Sequence, residues 1–332
     1  MDKLINSSFI NEIKNILHNA KSKIYQTVNN TMTATYWEIG RQIVEEEQQG
    51  KSRATYGKEI LENLSTELTK EFGKGFSVDN LGNMRKFYLA YPKSETVSRK
   101  FELSFSHYIF LSRIINKDER SFYEIESIQN SWSLRELKRQ FNSGLFERLS
   151  LSYDKSKVKE LSTKGQIIQN IDDLIKDPYI LEFVGLPELA SYSESELEQR
   201  LIDKLKHFLL ELGKGFTFVA RQKRITIDEK HFKVDLIFYN RVLKCFVVID
   251  LKIGELKHQD IGQMMMYVNY FDRVEKTDDE NKTIGIILCK DKSKTLVEMT
   301  LPKDNNQIYA SKYLTILPNK EEFQRLLESE DE

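Results

Sequence analysis

The chain is poor in cysteine and has no long apolar run, and each shortage excludes a class of protein. Its 332 residues include two cysteines, Cys245 and Cys289, both in apolar stretches. We expect them to pack as small buried thiols rather than to form a disulfide. No apolar run approaches the roughly 20 residues of a membrane helix, and the first ten residues lack the regions of a signal peptide. We therefore expect a cytoplasmic protein that makes no contact with a membrane.

The histidine spacing and the net charge give no sign of a zinc site or of a strongly basic protein. The five histidines are scattered, and neither they nor the cysteines follow the spacing of a zinc site. A net charge of −1 does not by itself indicate nucleic-acid binding, although the distribution of charge matters more than its sum. The chain is 40% apolar and 30% charged, which is the balance of a globular protein, and its length suffices for two domains.

The periodicity of the apolar residues predicts an α+β chain of two domains. Residues 1–150 show periods near 3.6 and predict an all-α domain, with separate helices near 10–17 and 33–48. Residues 188–332 mix helical and strand patterns and predict an α/β domain with a central sheet. We assign 151–187 to a connector. The strands are expected at 216–227, 232–239, 243–252, 283–288 and 307–314.

One stretch of the second domain places carboxylates where burial should exclude them. It reads HFKVDLIFYNRVLKCFVVIDLK, in which Asp235 interrupts one apolar strand and Asp250 ends the next, two positions before Lys252. Buried charges are rare unless they are paired or bind a metal. Strand side chains alternate, so Asp250 and Lys252 share a face, and a hairpin would bring Asp235 near them. The pattern predicts a divalent-metal site with a positioned lysine, unless these strand ends simply reach solvent.

Two helices that flank these strands offer further candidates. Glu198 lies on the helix before the strands, and Gln263 lies on the helix after them. Glu198 has acidic neighbours, so it could equally be a solvated helix residue, and Glu196 could take its place. Gln263 could be a surface amide.

The first domain has a helix–turn–helix rhythm between residues 57 and 92, which is typical of many DNA-binding helices. Asn and Arg are well shaped to contact base edges, and Lys and Arg neutralise phosphates. Most helical hairpins, however, have solvated polar faces that bind nothing. Protein–protein docking or dimerisation is the competing role. The candidate nucleic-acid-binding residues are Asn80, Asn83, Arg85, Lys86, Arg135, Lys138 and Arg139.

These residues and several longer sequence segments resemble those of one nuclease family. The order Glu198, Asp235, Asp250-x-Lys252, Gln263 resembles the motif of the PD-(D/E)XK nuclease superfamily. The surrounding sequence is more similar to the YhcG-like members of that superfamily. The segments are FLLELGKGFTFVARQKRI, IGQMMMYVNYFD and IGIILCKDK, with YWEIGRQIVEEEQQG and WSLRELKRQFNSGLFERL in the first domain. Asp250 stands where that family often carries glutamate, and either carboxylate suits the superfamily pattern.

The resemblance implies a restriction-endonuclease-like second domain and an all-α first domain, for which a winged-helix-like form is one variant. It implies a metal-dependent endonuclease that hydrolyses DNA, with Mg²⁺ as the cofactor and Mn²⁺ as a substitute. The metal ligands would be Asp235, Asp250, the Leu251 carbonyl and Glu198. Lys252 would orient the attacking water, and Gln263 would hold the lysine or the scissile phosphate.

Alternatives remain open beside this interpretation. A non-catalytic DNA-binding or scaffold protein could retain the same fold, although an intact Asp235, Asp250 and Lys252 set argues against it. RNA is not excluded as the substrate. A homodimer is a further expectation, since a single site of this kind cuts one strand at a time. The resemblance suggests a role in restriction, in defence against mobile elements or in the processing of branched DNA, and hence association with a restriction or defence system.

Overall fold

The computed structural model describes residues 7–49, 54–92, 101–151, 155–187 and 192–317. The chain divides into two compact units, residues 1–138 and 139–332. The boundary falls within a helix that runs from Leu134 to Asn142. Each unit has its own core.

The described part of the first unit is helical and contains no strand, so a wing of paired strands is not among these residues. A 3₁₀ turn at Lys74–Phe76 joins the second and third helices. Ser77 caps the third helix as its sequence predicts, because its side-chain oxygen accepts a hydrogen bond from the Asn80 amide. The helices are α1 (Ser7–Gln49), α2 (Ala54–Phe72), α3 (Val78–Ala90), α4 (Phe105–Leu111), α5 (Lys117–Gln129) and α6 (Leu134–Asn142).

Helix α1 corrects one expectation. Separate helices were expected near 10–17 and 33–48, but α1 is continuous over 43 residues. The residues between them are rich in Asn and Thr, which lower helix propensity, but they include neither proline nor glycine, the residues that break helices. At its C-terminal half α1 crosses α3 closely, with Gly40 against the Met84 backbone and Ile43 in the shared core.

The second unit is built around a six-stranded mixed sheet in the order β1-β6-β5-β4-β3-β2. Strands β1, β6, β5 and β4 are parallel, whereas β3 and β2 are antiparallel to their neighbours. Strands appear at all five expected places. The strands are β1 (Tyr179–Ile180), β2 (Phe216–Ile227), β3 (Lys230–Asn240), β4 (Cys245–Glu255), β5 (Ile284–Asp291) and β6 (Ile308–Leu314).

Helices cover both faces of this sheet, so most of its strands are apolar on both sides. One core lies under the helices that precede β2 and includes Leu197 and Phe208. The other lies under the helix between β4 and β5 and includes Met264. The remaining helices are α7 (Leu145–Leu151), α8 (Lys155–Lys164), α9 (Glu194–Asp203), α10 (Leu205–Leu212), α11 (His258–Tyr270) and α12 (Lys294–Thr300).

Part of the segment expected to be a connector packs into the second unit. Ile171, Leu174, Tyr179 and Val184 belong to the core under α9 and α10. Tyr179 also begins β1, which pairs with β6 at the edge of the sheet. Both cysteines are free and buried, as expected. No helix among the described residues has the length and apolar character needed to cross a membrane.

Candidate active site

The acidic site forms where the sheet's hydrogen-bond ladder is interrupted around Asp235. The β3–β4 ladder ends at the pair Leu236–Ile249. Beyond that pair, Oδ2 of Asp235 accepts a hydrogen bond of 2.9 Å from the Leu251 amide. On the other side of β3, Gln222 faces Asp235 and has a φ of +48°. The side chain of Asp235 therefore takes the place of a backbone acceptor in the middle of a strand.

Asp250 and Lys252 lie together on one side of β4, as their spacing predicts. Asp250 is buried, with 2% of its surface exposed. Its Oδ2 lies 2.7 Å from Nζ of Lys252, so the two side chains form an ion pair. Nζ of Lys252 is also 3.9 Å from Oε2 of Glu194 in the first turn of α9. Asp250 is thus a buried carboxylate with a single ammonium beside it.

The pKa values of Asp250 and Lys252 are both raised, for different reasons. Burial raises the pKa of Asp250 to about 7, and the neighbouring Asp235 charge adds to the rise, while Lys252 opposes it. Burial alone would lower the pKa of Lys252, but the Asp250 carboxylate outweighs it and raises the pKa above its ordinary value. The lysine is therefore an ammonium, and it partly offsets the charge of the Asp250 carboxylate.

Glu198 reaches the same site from α9. Ser193 caps this helix, and Glu198 on its second turn is buried. Gln222 links the two acids, because its Nε2 donates to Oε2 of Glu198 at 2.5 Å and to Oδ1 of Asp235 at 3.1 Å. Burial raises the pKa of Glu198, although the Gln222 amide opposes the rise. Glu196, the alternative candidate, is half exposed and lies 3.9 Å from Arg200.

Gln263 lies on α11 but does not bond to the lysine. Its Nε2 donates to the hydroxyl of Tyr267, which donates in turn to the Lys233 carbonyl at 2.7 Å. Burial raises the pKa of Tyr267, and the charges of Asp250 and Asp235 also raise it. The hydroxyl of Tyr267 is therefore within electrostatic range of the acidic pair, and Gln263 is one hydrogen bond further away.

The donor set fits a hard divalent cation. Two buried carboxylate oxygens, Oδ2 of Asp250 and Oε1 of Glu198, accept no hydrogen bond within the described structure. Such atoms gain from a cation, because a buried charge without compensation is costly. In the parts of the chain that are described, no three Asp, Glu, His or Cys side chains are placed to hold one ion together. The arrangement suits Mg²⁺, which often takes one or two carboxylates and completes its shell with water and phosphate oxygens.

Sequence reasoning missed both Gln222 and the hydroxyl of Tyr267. Gln222 falls within the polar run RQKR in the middle of β2, which is the one visible sign of an interrupted strand. Its positive φ and its two carboxylate partners depend on the folded sheet. Tyr267 is fully buried, as expected of a core residue, but its hydroxyl has a polar role as well.

Two of the four candidate nucleic-acid-binding residues on α3 form hydrogen bonds within the first unit. Nδ2 of Asn80 donates to a backbone carbonyl of the preceding turn at 3.1 Å, and Nε of Arg85 donates to Glu47 at 2.6 Å. Asn83 is half-buried, whereas Lys86 is exposed. Asn80 and Arg85 thus have intramolecular partners within the first unit.

Of the three candidates on α6, two are exposed and one is mostly buried. Arg135 and Lys138 are exposed. The side chain of Arg139 is 11% exposed, and it donates to Glu182 at 2.6 Å and to Glu211 at 3.2 Å. These contacts belong to a buried ionic network, so we leave Arg139 out of the proposed DNA-binding set.

Comparison with known sequences places this chain in a nuclease family. Residues 172–328 match the YhcG PDDEXK nuclease domain, and residues 12–148 match the DUF1016 N-terminal domain. The chain is 38% identical to YhcG of Escherichia coli (strain K12) in an alignment 338 positions long, which covers 93% of this chain and 90% of that protein. The chain therefore belongs to the YhcG family of nucleases. The expected helical first domain and restriction-endonuclease-like second domain are confirmed.

Solved nuclease structures are similar over part of the chain. A repair endonuclease from Pyrococcus abyssi is 20% identical with a TM-score of 0.27, over 38% of this chain and 50% of that one. EndoMS in its apo form is 16% identical with a TM-score of 0.25, over 39% and 48%. An EndoMS complex with double-stranded DNA is 20% identical with a TM-score of 0.27, over 40% and 49%. This chain thus spans about half the length of each solved chain.

Proposed function

We propose that this protein is a metal-dependent endonuclease that hydrolyses phosphodiester bonds in DNA. The observation that supports this most strongly is the buried carboxylate of Asp250, which lies beside the Asp235 charge and has its Oδ2 2.7 Å from Nζ of Lys252. Membership of a nuclease family points to the same chemistry.

Asp235, Asp250 and the Leu251 carbonyl would hold the cation, which we propose to be Mg²⁺, with Mn²⁺ as a substitute. When bound, a divalent cation polarises a phosphoryl oxygen and makes a bound water more acidic. Asp235 is oriented for this role by two donors, the Leu251 amide and the Gln222 amide. Fixed ligand orientation of this kind normally determines metal affinity.

Lys252 and Glu198 would act beside the cation. As an ammonium, Lys252 donates hydrogen bonds from Nζ to the attacking water or to a phosphate oxygen, and it offsets negative charge there. Glu198 contacts Asp235 through Gln222, so it would bind the cation through a water or orient Asp235. Gln263 would act through the Tyr267 hydroxyl, to which it is bonded.

We propose that the first domain assists DNA binding, and that its exposed cations Lys86, Arg135 and Lys138 contact phosphates. Domains at 1–150 and 188–332, joined by 151–187, would then divide binding from chemistry. The protein would act in the cytoplasm, as a homodimer or together with a restriction or defence system.

A side-by-side assay on DNA and RNA strands of identical sequence tests this function. The unaltered protein is expected to cut the DNA with Mg²⁺ or Mn²⁺ and to leave it intact with EDTA. Lys252→Met should lower the rate by at least about 100-fold, since it removes a positioned cation. Lys282→Met, an exposed lysine before β5, is the matched control and should keep full activity.

Other results would point to other functions. Preferential cutting of the RNA strand would assign the site to RNA. Metal-independent binding without cutting, unchanged in Lys252→Met, would favour a non-catalytic scaffold.

A further inference from the structure

A basic strip lies on one face of the β2–β3 hairpin, just beyond the acidic site. Cross-strand register places Arg224 opposite Lys233 and Thr226 opposite His231. Partners in an antiparallel pair point to the same face. All four side chains are exposed. We call Arg224, His231 and Lys233 the hairpin strip.

The opposite face of the hairpin belongs to the core. Ile225 and Val234 are buried under α11, with Phe232 packed against the same cluster. Because successive side chains of a strand alternate, the hairpin strip faces away from that helix, on the side where α9 lies. The apolar face of β3 is covered by α9 at Leu236 and becomes polar and open at Lys233.

The hairpin strip is continuous with the acidic site through Arg221. Nη1 of Arg221 donates to Gln199 on α9 at 2.9 Å, and its Nε lies 3.6 Å from Oε1 of Glu198. From Arg221 to Thr226 the strand extends about 17 Å. That length matches about five nucleotides of one DNA strand.

The strip's positive charge is not neutralised within the described structure. Arg224 and Lys233 face each other directly, and like charges in that position destabilise a strand pair. Neither forms an ion pair with a carboxylate of the described residues. Nη2 of Arg224 instead contacts Nε2 of His231 at 2.5 Å. Two acidic residues, Asp228 and Glu229, lie in the turn of the same hairpin.

We propose that the hairpin strip binds the phosphate backbone of a nucleic acid and guides it towards the Asp235–Asp250 site. An anionic ligand would relieve the repulsion between Arg224 and Lys233, which the fold alone leaves in place. The strip binds by charge and contacts no base edge, so it confers affinity without sequence preference. This inference rests on the proposed function for its direction, but binding can be measured without cleavage.

The test compares DNA binding by the full-length protein in EDTA, where cleavage is prevented. The probes are a fluorescent 20-nucleotide strand and its duplex, titrated at several salt concentrations. The variant is Arg224→Gln with Lys233→Gln, and the control is Lys282→Gln with Lys303→Gln. Both control lysines are exposed, beside the N-terminal ends of β5 and β6, whereas Asp250 lies on the C-terminal half of β4.

We expect the strip variant to bind at least about 10-fold more weakly at 0.1 M salt. The slope of log K against log salt should fall by about 2, because each lost phosphate contact removes close to one counterion. The control should keep the unaltered slope. The melting temperature of the strip variant should equal or exceed that of the unaltered protein, because a repulsion has been removed.

Equal affinity and an equal slope in the strip variant would overturn the inference, and so would absence of nucleic-acid binding by the unaltered protein. Hydrolysis of a small phosphodiester by the unaltered protein tests the proposed function separately. If the strip binds DNA but no phosphodiester is cut, the strip stands and the nuclease proposal fails. If a small phosphodiester is cut but DNA binding is unchanged in the variant, the nuclease proposal stands and the strip fails.

Discussion

At the scale of single residues, the site depends on carboxylates held by amide donors. Asp235 occupies a mid-strand position that would be intolerable for an unpartnered charge. The Leu251 amide and the Gln222 side chain each donate to one of its oxygens. Gln222 also donates to Glu198, so one amide sets the positions of two acids.

Gln222→Ala should therefore impair metal-dependent cleavage without unfolding the protein. Loss of such a supporting hydrogen bond typically costs 10- to 100-fold in metal affinity or activity, and we expect about that loss in cleavage rate. Alanine retains the Cβ, so the strain of the positive φ at this position is unchanged. Saturating Mn²⁺ should restore part of the rate if the lost quantity is metal affinity.

The control for this variant is Gln169→Ala, which removes an exposed side chain of the second unit. It should leave the rate unchanged. A Gln222→Ala protein with a wild-type rate at every Mn²⁺ concentration would show that the amide has no part in the site.

A second residue-scale prediction concerns Glu211, which supports the fold away from the chemistry. Its side chain and that of Arg148 are fully buried, and Nη1 of Arg148 donates to Oε1 at 2.6 Å. Burial alone would raise the pKa of Glu211, but the charges of Arg148, Lys176 and Arg139 lower it to about 2. The folded pKa is below the unfolded one, so the carboxylate stabilises the protein above about pH 4.5 and loses that effect as the pH falls towards 2.

Glu211→Gln should lower the free energy of unfolding at pH 7 by about 3–5 kcal/mol, because it leaves Arg148 as a buried charge without its partner. The difference between the two proteins should shrink as the pH falls from 5 towards 2. Urea denaturation at several pH values measures it. Glu160→Gln, whose partner Lys164 is exposed, should cost at most about 1 kcal/mol. Equal losses in the two variants would contradict this account of the network.

At the scale of elements, the crossing of α1 and α3 depends on one glycine. A Cβ added at Gly40 would lie 2.1 Å from the Met84 carbonyl oxygen, which is backbone and cannot rotate away. Gly82 on α3 offers the matched position, because a Cβ there would meet no atom within 4 Å.

Gly40→Ala should destabilise the first unit, since overpacking of this kind costs about 1–3 kcal/mol. Gly82→Ala should instead stabilise it by up to about 1 kcal/mol, because alanine favours a helix over glycine. Thermal unfolding of the two variants measures both. A Gly40→Ala protein at least as stable as the unaltered one would mean that the close crossing does not exist in solution.

How much of these elements the sequence predicts depends on how local their cause is. Five strands and the cap at Ser77 follow from alternation, apolar runs and a single side chain, which are local features. Strand β1 has two residues and gains its place from pairing with β6, so no local pattern predicts it. The continuity of α1 is likewise hidden, because weak helix formers without proline or glycine leave the choice to the rest of the fold.

The candidate site shows the same division. The positions of Asp235, Asp250 and Lys252 in apolar strands make them visible in the sequence. Gln222 is not visible, because its role depends on a break in the ladder between two strands. Arg139 was expected to contact DNA because its spacing from Arg135 and Lys138 suits one face of a helix, whereas its ionic partners come from distant parts of the sequence.

At the scale of the whole molecule, we expect the two units to have different functions. Matches to the two family domains together extend over most of the chain, and the 38% identical relative is covered nearly end to end. The second unit holds the acidic residues that would perform hydrolysis. The first unit supplies exposed cations that would assist binding, so its removal should weaken DNA affinity more than it changes hydrolysis of a small phosphodiester.

The central claim is that the Asp235–Asp250 site hydrolyses DNA with a divalent cation. The most direct measurement is nicking of supercoiled plasmid by the full-length protein in Mg²⁺, with Asp250→Asn beside the exposed control Asp304→Asn. The account predicts nicking by the unaltered protein and by Asp304→Asn, none in EDTA, and a loss of at least about 100-fold in Asp250→Asn. Equal nicking by Asp250→Asn and the unaltered protein would contradict it.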